Sequence, residues 1–160
     1  MAKELKTNAM RILDRNKISY EINTYECEEF IDGITVAKQL NQDPSQSFKT
    51  LVAEGKSGNF YVFVLPVHRE LNLKICAKTV GEKSVELIHV KDINKITGYI
   101  RGGCTPLGMK KLYKTVIDSS ALNYERIIIS GGRIGTQIIL NPKELGTVVR
   151  AIFENIIMEN

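Results

Sequence analysis

Apolar residues recur at helical spacing in several parts of the chain. Near the N-terminus, Leu5, Ala9, Ile12 and Leu13 fall on one side of a helix, which predicts an amphipathic helix that ends at about Asn16. Capping and turn residues mark three further short helices. These comprise residues 36–40, which end before Asp43-Pro44, residues 73–80 between a capping Asn72 and Gly81, and residues 92–97.

Strand patterns occupy much of the remaining chain. Residues 18, 20 and 22 are apolar and alternate with polar residues, which predicts a half-buried strand. An acidic loop is expected after it, over residues 27–32. Two β-rich runs flank six turn-forming residues and therefore predict a hairpin of strands 48–53 and 60–67. Four more strands are expected at residues 85–90, 114–117, 126–130 and 136–140.

The C-terminal segment begins with a helix signal. Asn141 can act as N-cap, Pro142 suits the first helical position and Glu144 the third. Apolar residues then recur at 145, 148, 149, 152, 153 and 156. This spacing predicts one helix that continues to about Ile157.

The order of these elements and the composition indicate one mixed α/β domain over residues 1–160. Strands and helices do not alternate regularly, which argues against a doubly wound sheet. No stretch approaches the roughly 20 apolar residues that cross a bilayer, and the N-terminus has no signal-peptide pattern. The three cysteines form no CxxC or Cys/His cluster, so we expect a reducing cytoplasm, no disulfide framework and no metal.

The net charge of +4 permits transient contact with a polyanion but does not by itself identify a nucleic-acid-binding protein. Ordinary solubilising charge explains it equally well. His68 and His89 have no suitably spaced serine or cysteine, which disfavours a hydrolase with a catalytic triad. Cys104 is a candidate nucleophile or a small buried apolar residue. Lys49 lies in a strand pattern, either solvated or facing a cleft where it could bind a carbonyl or phosphate.

Two glycine-rich segments are the most informative local motifs, GYIRGGCTPLG at residues 98–108 and SGGRIG at 130–135. Neither matches a Walker loop or a dinucleotide-binding fingerprint. Their glycine pairs, 102–103 and 131–132, could direct amide donors at an oxyanion or a phosphate. Two tight turns would explain the same glycines.

These segments, together with FKTL at residues 48–51, occur in an order that resembles the YbaK/EbsC family of aminoacyl-tRNA deacylases. This family is related to the editing insertion domain of bacterial prolyl-tRNA synthetases. The resemblance covers nearly the whole chain, including residues 18–20 and 73–78. It implies a mixed, barrel-like sheet flanked by helices, and hydrolysis of the ester between a mischarged amino acid and tRNA without a cofactor.

The resemblance also implies a set of site residues. Lys49 matches the lysine that is essential in the family. The pocket is expected to involve residues of the two glycine-rich loops and neighbouring positions, namely Tyr20, Phe30, Thr50, Arg101, Gly102, Gly103, Thr105, Pro106, Ser130, Gly131 and Gly132. Among these, Arg101 is our candidate for a phosphate contact. Gln137 stands where several relatives have an aspartate, which leaves any acid/base or amine-binding role at that position open.

The substrate implied by the resemblance is mischarged Cys-tRNA(Pro). The substrate's own thiol would attack the ester, so the protein would need geometry and oxyanion stabilisation but no nucleophile of its own. Prolyl-tRNA synthetase is a further expected partner. The alternatives are a sibling specificity for Ala-, Ser- or Thr-charged tRNA, and a non-catalytic module that binds tRNA or a synthetase.

Overall fold

The computed structural model describes residues 6–27 and 29–159. Within these ranges the chain forms five α-helices and eight strands. In chain order they are α1 (Asn8–Arg15), β1 (Tyr20–Thr24), α2 (Gly33–Gln39), β2 (Phe48–Gly55), β3 (Phe60–Pro66), α3 (Leu73–Val80), β4 (Val85–Leu87), α4 (Ile93–Thr97), β5 (Lys114–Asp118), β6 (Ile127–Ser130), β7 (Thr136–Leu140), α5 (Pro142–Val149) and β8 (Ile152–Glu154). Short 3-10 turns at Val90–Asp92 and Ser119–Asn123 precede α4 and follow β5.

The strands form two sheets that meet at one point. The smaller sheet has the order β1-β7-β6 and is antiparallel, whereas the larger has the order β4-β2-β3-β5-β8 and is mixed. Strands β4, β2 and β3 are antiparallel neighbours, and β3, β5 and β8 run parallel. A parallel bridge between Ser47 and Ile128 connects the two sheets just before β2. The prediction of a mixed α/β fold is confirmed.

Strand β3 explains why the longest apolar run has no polar alternation. Val62 and Val64 pack into one apolar cluster with α1, α5 and the smaller sheet. Tyr61, Phe63 and Leu65 point the other way and pack into a second cluster with α3. Because both faces of this central strand are covered, neither phase of the alternation needs to be polar.

The hairpin and helix α3 follow the sequence signals closely. Strands β2 and β3 pair from Phe48 opposite Pro66 to Glu54 opposite Phe60, as predicted. The Asn72 side chain accepts a hydrogen bond from the Ile75 amide at 3.2 Å and caps α3. Gly81 ends α3 with a φ of 78°, in the left-handed region where glycine has no steric penalty.

The prediction of a helix that continues to about Ile157 is wrong. Helix α5 ends at Val149, and Arg150 adopts a φ of 54°. The amide of Ala151 then donates to the Gly146 carbonyl at 2.8 Å, which closes the helix end. Residues 152–154 instead form β8 alongside β5. A Cβ on Gly146 would lie 2.8 Å from the Phe153 ring, so the absence of a side chain lets the ring pack over the helix.

Other boundaries also differ from the predictions. Helix α2 begins at Gly33 and not at residue 36, because the Asp32 side chain caps it by accepting a hydrogen bond from the Thr35 amide at 2.9 Å. The strand expected at residues 85–90 ends at Leu87, because its pairing with β2 is limited to three residue pairs. Helix α1 begins at Asn8, where the Thr7 hydroxyl accepts a hydrogen bond from the Met10 amide as the N-cap. The prediction for Leu5 lies outside the described residues.

Candidate active site

A cavity of about 510 Å³ lies where the two sheets meet. Its floor is the first half of β2, residues 48–52, and the end of β6 at residues 128–130. The beginning of α2, the 3-10 turn before α4 and the first glycine-rich loop contribute the walls. The cavity is large enough for an aminoacyl group and part of a nucleoside.

Lys49 is the basic residue on the cavity floor. Its backbone pairs with Leu65 of β3, and its side chain lines the cavity. Among residues 6–27 and 29–159, its ammonium has no hydrogen-bond or ion-pair partner. Burial lowers the pKa of Lys49 from its ordinary value, while the charges of Glu70 and Asp32 oppose this shift. A half-buried cation without a partner is available to a negative ligand group.

Phe30 and Arg101 form one edge of the cavity. The Arg101 guanidinium lies 4.0 Å from the centre of the Phe30 ring, within the range of a cation–π contact. Gly102 follows with a φ of 89°, and a Cβ there would approach the Phe30 ring at 3.1 Å. Glycine at this position therefore allows both the turn and the close contact with the ring.

Three amide side chains form a neutral polar cluster in the cavity wall. The Gln137 side-chain oxygen accepts hydrogen bonds from Asn23 at 3.0 Å and from Gln42 at 2.8 Å. The Gln137 amide nitrogen in turn donates to the Gln42 oxygen at 3.2 Å. Gln137 and Gln42 both line the cavity. The wall therefore presents an amide, and not a carboxylate, at the position where the resemblance led us to expect an aspartate.

The cavity brings together half of the residues predicted for the site. Six of them line it, namely Phe30, Lys49, Thr50, Arg101, Gly102 and Ser130. The other six do not: Tyr20, Gly103, Thr105, Pro106, Gly131 and Gly132. Tyr20 donates its hydroxyl to Asp14 at 2.9 Å, and Thr105 and Pro106 are buried. The carbonyl of Gly131 accepts a hydrogen bond from the Thr7 hydroxyl at 2.6 Å.

Hydrogen bonding distinguishes among the loop amides that were expected to stabilise an oxyanion. The amide of Gly103 donates to the Ile100 carbonyl at 2.9 Å, and that of Gly131 to the Thr136 carbonyl at 2.8 Å. The Gly132 amide donates to the Ser130 hydroxyl at 3.3 Å. Within the described part of the chain, the Gly102 amide has no acceptor. Of these four amides, Gly102 is therefore the one available to a ligand.

The thiols and imidazoles offer no activated nucleophile or base in the cavity. Cys104 lines the cavity, but burial raises the pKa of its thiol to about 11, although the Thr97 hydroxyl opposes this shift. Cys76 lies on the buried face of α3, and burial likewise raises the pKa of its thiol to about 11. His68 and His89 are exposed and do not line the cavity.

Sequence reasoning missed Tyr25 and Gln42 as cavity residues. The backbone of Tyr25 is held by its amide, which donates to the Gly135 carbonyl at 2.9 Å. Gln42 follows Asn41, whose φ of 55° turns the chain after α2. Neither residue belongs to a local motif. The hydrogen-bond partners that hold them, Gly135 for Tyr25 and Gln137 for Gln42, are both distant in the sequence.

Two kinds of feature are absent from residues 6–27 and 29–159. No helix there is long and apolar enough to span a membrane. No group of three or more histidine, cysteine, aspartate or glutamate side chains there could hold a metal ion.

Comparisons with known proteins support the resemblance found in the motifs. A family model described as an aminoacyl-tRNA editing domain matches residues 32–148. A relative from Enterococcus faecalis, EbsC, is 40% identical over 152 residues, which cover 94% of this chain and 93% of that protein. It is provisionally named as a Cys-tRNA(Pro)/Cys-tRNA(Cys) deacylase.

Solved structures share the fold at lower identity. One hypothetical protein superposes with a TM-score of 0.85 at 20% identity, over 95% of this chain and all of its own. A protein provisionally described as a trans-editing enzyme for prolyl-tRNA synthetase superposes with a TM-score of 0.81 at 20% identity, over 98% of this chain and all of its own. The family model covers well over half of the sequence, and the chain therefore belongs to the family of aminoacyl-tRNA editing domains, the deacylases that its motifs resemble.

Proposed function

We propose that this protein hydrolyses mischarged Cys-tRNA(Pro) in the cavity around Lys49. The observation that carries the proposal is the unpartnered Lys49 ammonium on the floor of a cavity of about 510 Å³. The family of editing domains supplies the substrate class, an aminoacyl-tRNA. The name of the 40% identical relative supports cysteine as the aminoacyl group and tRNA(Pro) as the carrier.

In the proposed reaction the substrate's own thiol is the nucleophile. Its sulfur attacks the ester carbonyl and forms a tetrahedral oxyanion, the bond from the carbonyl carbon to the ribose oxygen then breaks, and the ribose oxygen takes up a proton. The cyclic thiolactone that leaves is hydrolysed by water. Holding thiol and carbonyl in attack geometry can supply about 7–11 kcal/mol of the barrier reduction.

The protein's part is to fold the ester and to stabilise the oxyanion. Lys49 provides a positive charge in a partly desolvated site, where such a charge is worth more than in water. The Gly102 amide, with no acceptor among the described residues, is the proposed second donor. This mechanism does not use Cys104, whose pKa of about 11 keeps the thiol protonated near neutral pH.

Arg101 and Phe30 are the proposed contacts for the 3′ end of the tRNA. Their cation–π pair places the Phe30 ring and the Arg101 guanidinium at the edge of the cavity. A base can stack on such a surface, and the guanidinium can contact a phosphate. Both residues are exposed enough to be reached from solvent.

A turnover experiment tests this function. Labelled Cys-tRNA(Pro) is incubated with the protein at one-tenth of its concentration, and release of the amino acid is followed against correctly charged Pro-tRNA(Pro). We expect many turnovers per protein molecule on the cysteinyl ester and little release of proline, which has no thiol. Release limited to the background rate would reject the proposed function.

A further inference from the structure

The net charge of the chain is concentrated in one segment beside the cavity. Residues 90–112 contain five basic side chains and one acidic side chain, a net charge of +4. The whole chain has 22 basic and 18 acidic residues, which is also +4. The remaining residues therefore contain 17 of each sign and contribute no net charge. The composition alone does not reveal this asymmetry.

Four lysines of this segment form a cluster on and around α4, which we call the lysine cluster: Lys91, Lys95, Lys110 and Lys111. Lys91 and Lys95 lie four positions apart in the 3-10 turn and the following helix. The Lys110 amide donates to the Thr97 carbonyl at 3.1 Å, and its side chain lies 3.4 Å from where a Cβ of Gly98 would be.

The lysine cluster is exposed and unneutralised. All four side chains are solvent-exposed. Within residues 6–27 and 29–159, the ion pairs involve other residues, and none of the four has a hydrogen-bond or ion-pair partner. Asp92 is the single acid between them in the sequence. Because no described carboxylate pairs with these four charges, they remain available to an external anion.

The lysine cluster is continuous with the cavity. Val90 and Ile93, which flank Lys91 and Asp92, both line the cavity. The loop that carries Arg101 is fastened to α4 because the Gly98 amide donates to the Asn94 carbonyl at 2.8 Å. A polyanion whose end lies in the cavity can therefore continue over α4, where it contacts the lysine cluster.

The other side of the Phe30–Arg101 contact carries the opposite charge. Residues 25–27 and 29–32 contain three acids and no base, and Tyr25, Phe30 and Asp32 line the cavity. A polyanion is repelled from this segment and attracted to the lysine cluster. The two segments together favour approach of a polyanion to the cavity from the side of the lysine cluster.

We propose that the lysine cluster binds the phosphate backbone of the tRNA acceptor stem while the aminoacyl ester occupies the cavity. This inference rests on the proposed function. Four lysines suit several consecutive phosphates of a stem. Each lysine ammonium acts as a point charge that can contact one phosphate from any direction. Arg101, which lines the cavity, adds a further positive charge between the lysine cluster and the ester.

A substrate-length comparison tests the proposal. The first variant changes Lys91, Lys95, Lys110 and Lys111 to alanine. The matched control changes Lys56, Lys74, Lys78 and Lys83 to alanine, which removes the same charge from exposed positions that do not line the cavity. Each protein is assayed on a cysteinyl acceptor-stem microhelix and on the cysteinyl ester of adenosine. Affinity for the uncharged microhelix is measured at several salt concentrations.

We expect the cluster variant to lose about tenfold or more in kcat/KM on the microhelix and to keep its activity on the adenosine ester. Its salt dependence of binding should weaken by about one unit of slope for each lost phosphate contact. The control variant should resemble the wild type on both substrates.

Other outcomes separate the two proposals. If wild type hydrolyses neither ester but binds the microhelix through the cluster, the proposed function fails and the binding surface stands. An equal loss of kcat/KM on the microhelix in both variants would overturn the proposed binding surface. Unchanged microhelix affinity in the cluster variant would also overturn it. A loss seen only when prolyl-tRNA synthetase is added would assign the cluster to a protein partner and would also overturn it.

Discussion

Lys49 and Asp118 are two charged residues in the same five-stranded sheet, and their surroundings differ in a way that separates chemistry from structure. Asp118, at the end of β5, is 1% exposed and accepts three hydrogen bonds. Its donors are the Ser120 amide and hydroxyl and the Ile156 amide. Lys49, on β2, faces the cavity and has no partner among the described residues.

This difference indicates what each residue contributes. Buried charges that stabilise a fold have their hydrogen-bonding capacity satisfied, as Asp118 does. The charge on Lys49 instead carries a desolvation cost, which is why its pKa is lowered. Function explains why such a residue is present, since a charge without an internal partner remains available to a substrate.

The largest effect is expected at Lys49. Lys49→Met should lower kcat/KM on Cys-tRNA(Pro) by about 10²–10³-fold, because one contact to the developing oxyanion is lost. Its melting temperature should equal or exceed that of the wild type, because an unpaired half-buried charge is removed. The control is Lys56→Met, an exposed position in the turn between β2 and β3 that does not line the cavity, which should change neither quantity. A folded Lys49→Met protein with normal turnover would refute the catalytic role.

The opposite pattern is expected at Asp118. Asp118→Ala leaves the buried Ile156 amide and the Ser120 amide without their acceptor, which should cost about 3 kcal/mol of unfolding free energy. The melting temperature should fall by about 6–12 °C. Activity per folded molecule should not change. Asp118→Asn, which keeps an oxygen acceptor, should lose less; an undiminished melting temperature in Asp118→Ala would contradict the structural role.

A smaller effect should appear in the pH dependence of stability. The folded-state pKa of Lys49 is lowered, so the unfolded chain binds more protons through the alkaline range below the ordinary value of 10.5. Wild-type stability relative to Lys49→Met should therefore rise as the pH increases toward 10.5. Urea unfolding of both proteins between pH 7 and pH 10 measures this difference. A constant difference across that range would show that Lys49 is not desolvated.

The smallest effect is expected at the cysteines. Cys104→Ser should keep most of the wild-type turnover, because a thiol with a pKa of about 11 supplies little thiolate near neutral pH. The triple variant that also changes Cys27 and Cys76 to serine should do the same, provided that it folds. Turnover is compared at equal concentrations of folded protein. A large loss in Cys104→Ser alone would point to a protein nucleophile.

The sequence predicts elements well where a local signal marks both ends. Asn72 and Gly81 bound α3, and turn residues bound the hairpin of β2 and β3. The C-terminal helix was predicted too long because apolar residues at 152 and 153 suit a helix face as well as a strand. Only packing of Phe153 on Gly146 and pairing with β5 decide between them.

The site could be predicted only in part, for a similar reason. The sequence pointed to Lys49 and, separately, to Phe30 and Arg101, and these three residues do line the cavity. The contact between Phe30 and Arg101 is seen only in the structure. Gln42 and Tyr25 could not be found, because their places depend on contacts between distant parts of the chain. Whether each loop amide has a hydrogen-bond acceptor within the protein also depends on turn geometry that no motif specifies.

The central claim is that the cavity around Lys49 catalyses attack by the substrate's own thiol. The most direct test compares turnover of Cys-tRNA(Pro) and Ser-tRNA(Pro) by the wild-type protein under identical conditions. Serine is nearly isosteric with cysteine, but its hydroxyl is not ionised near neutral pH without a base. The account predicts that the seryl ester is hydrolysed far more slowly. Equal turnover of the two esters would contradict it and would point to an activated water or a protein nucleophile.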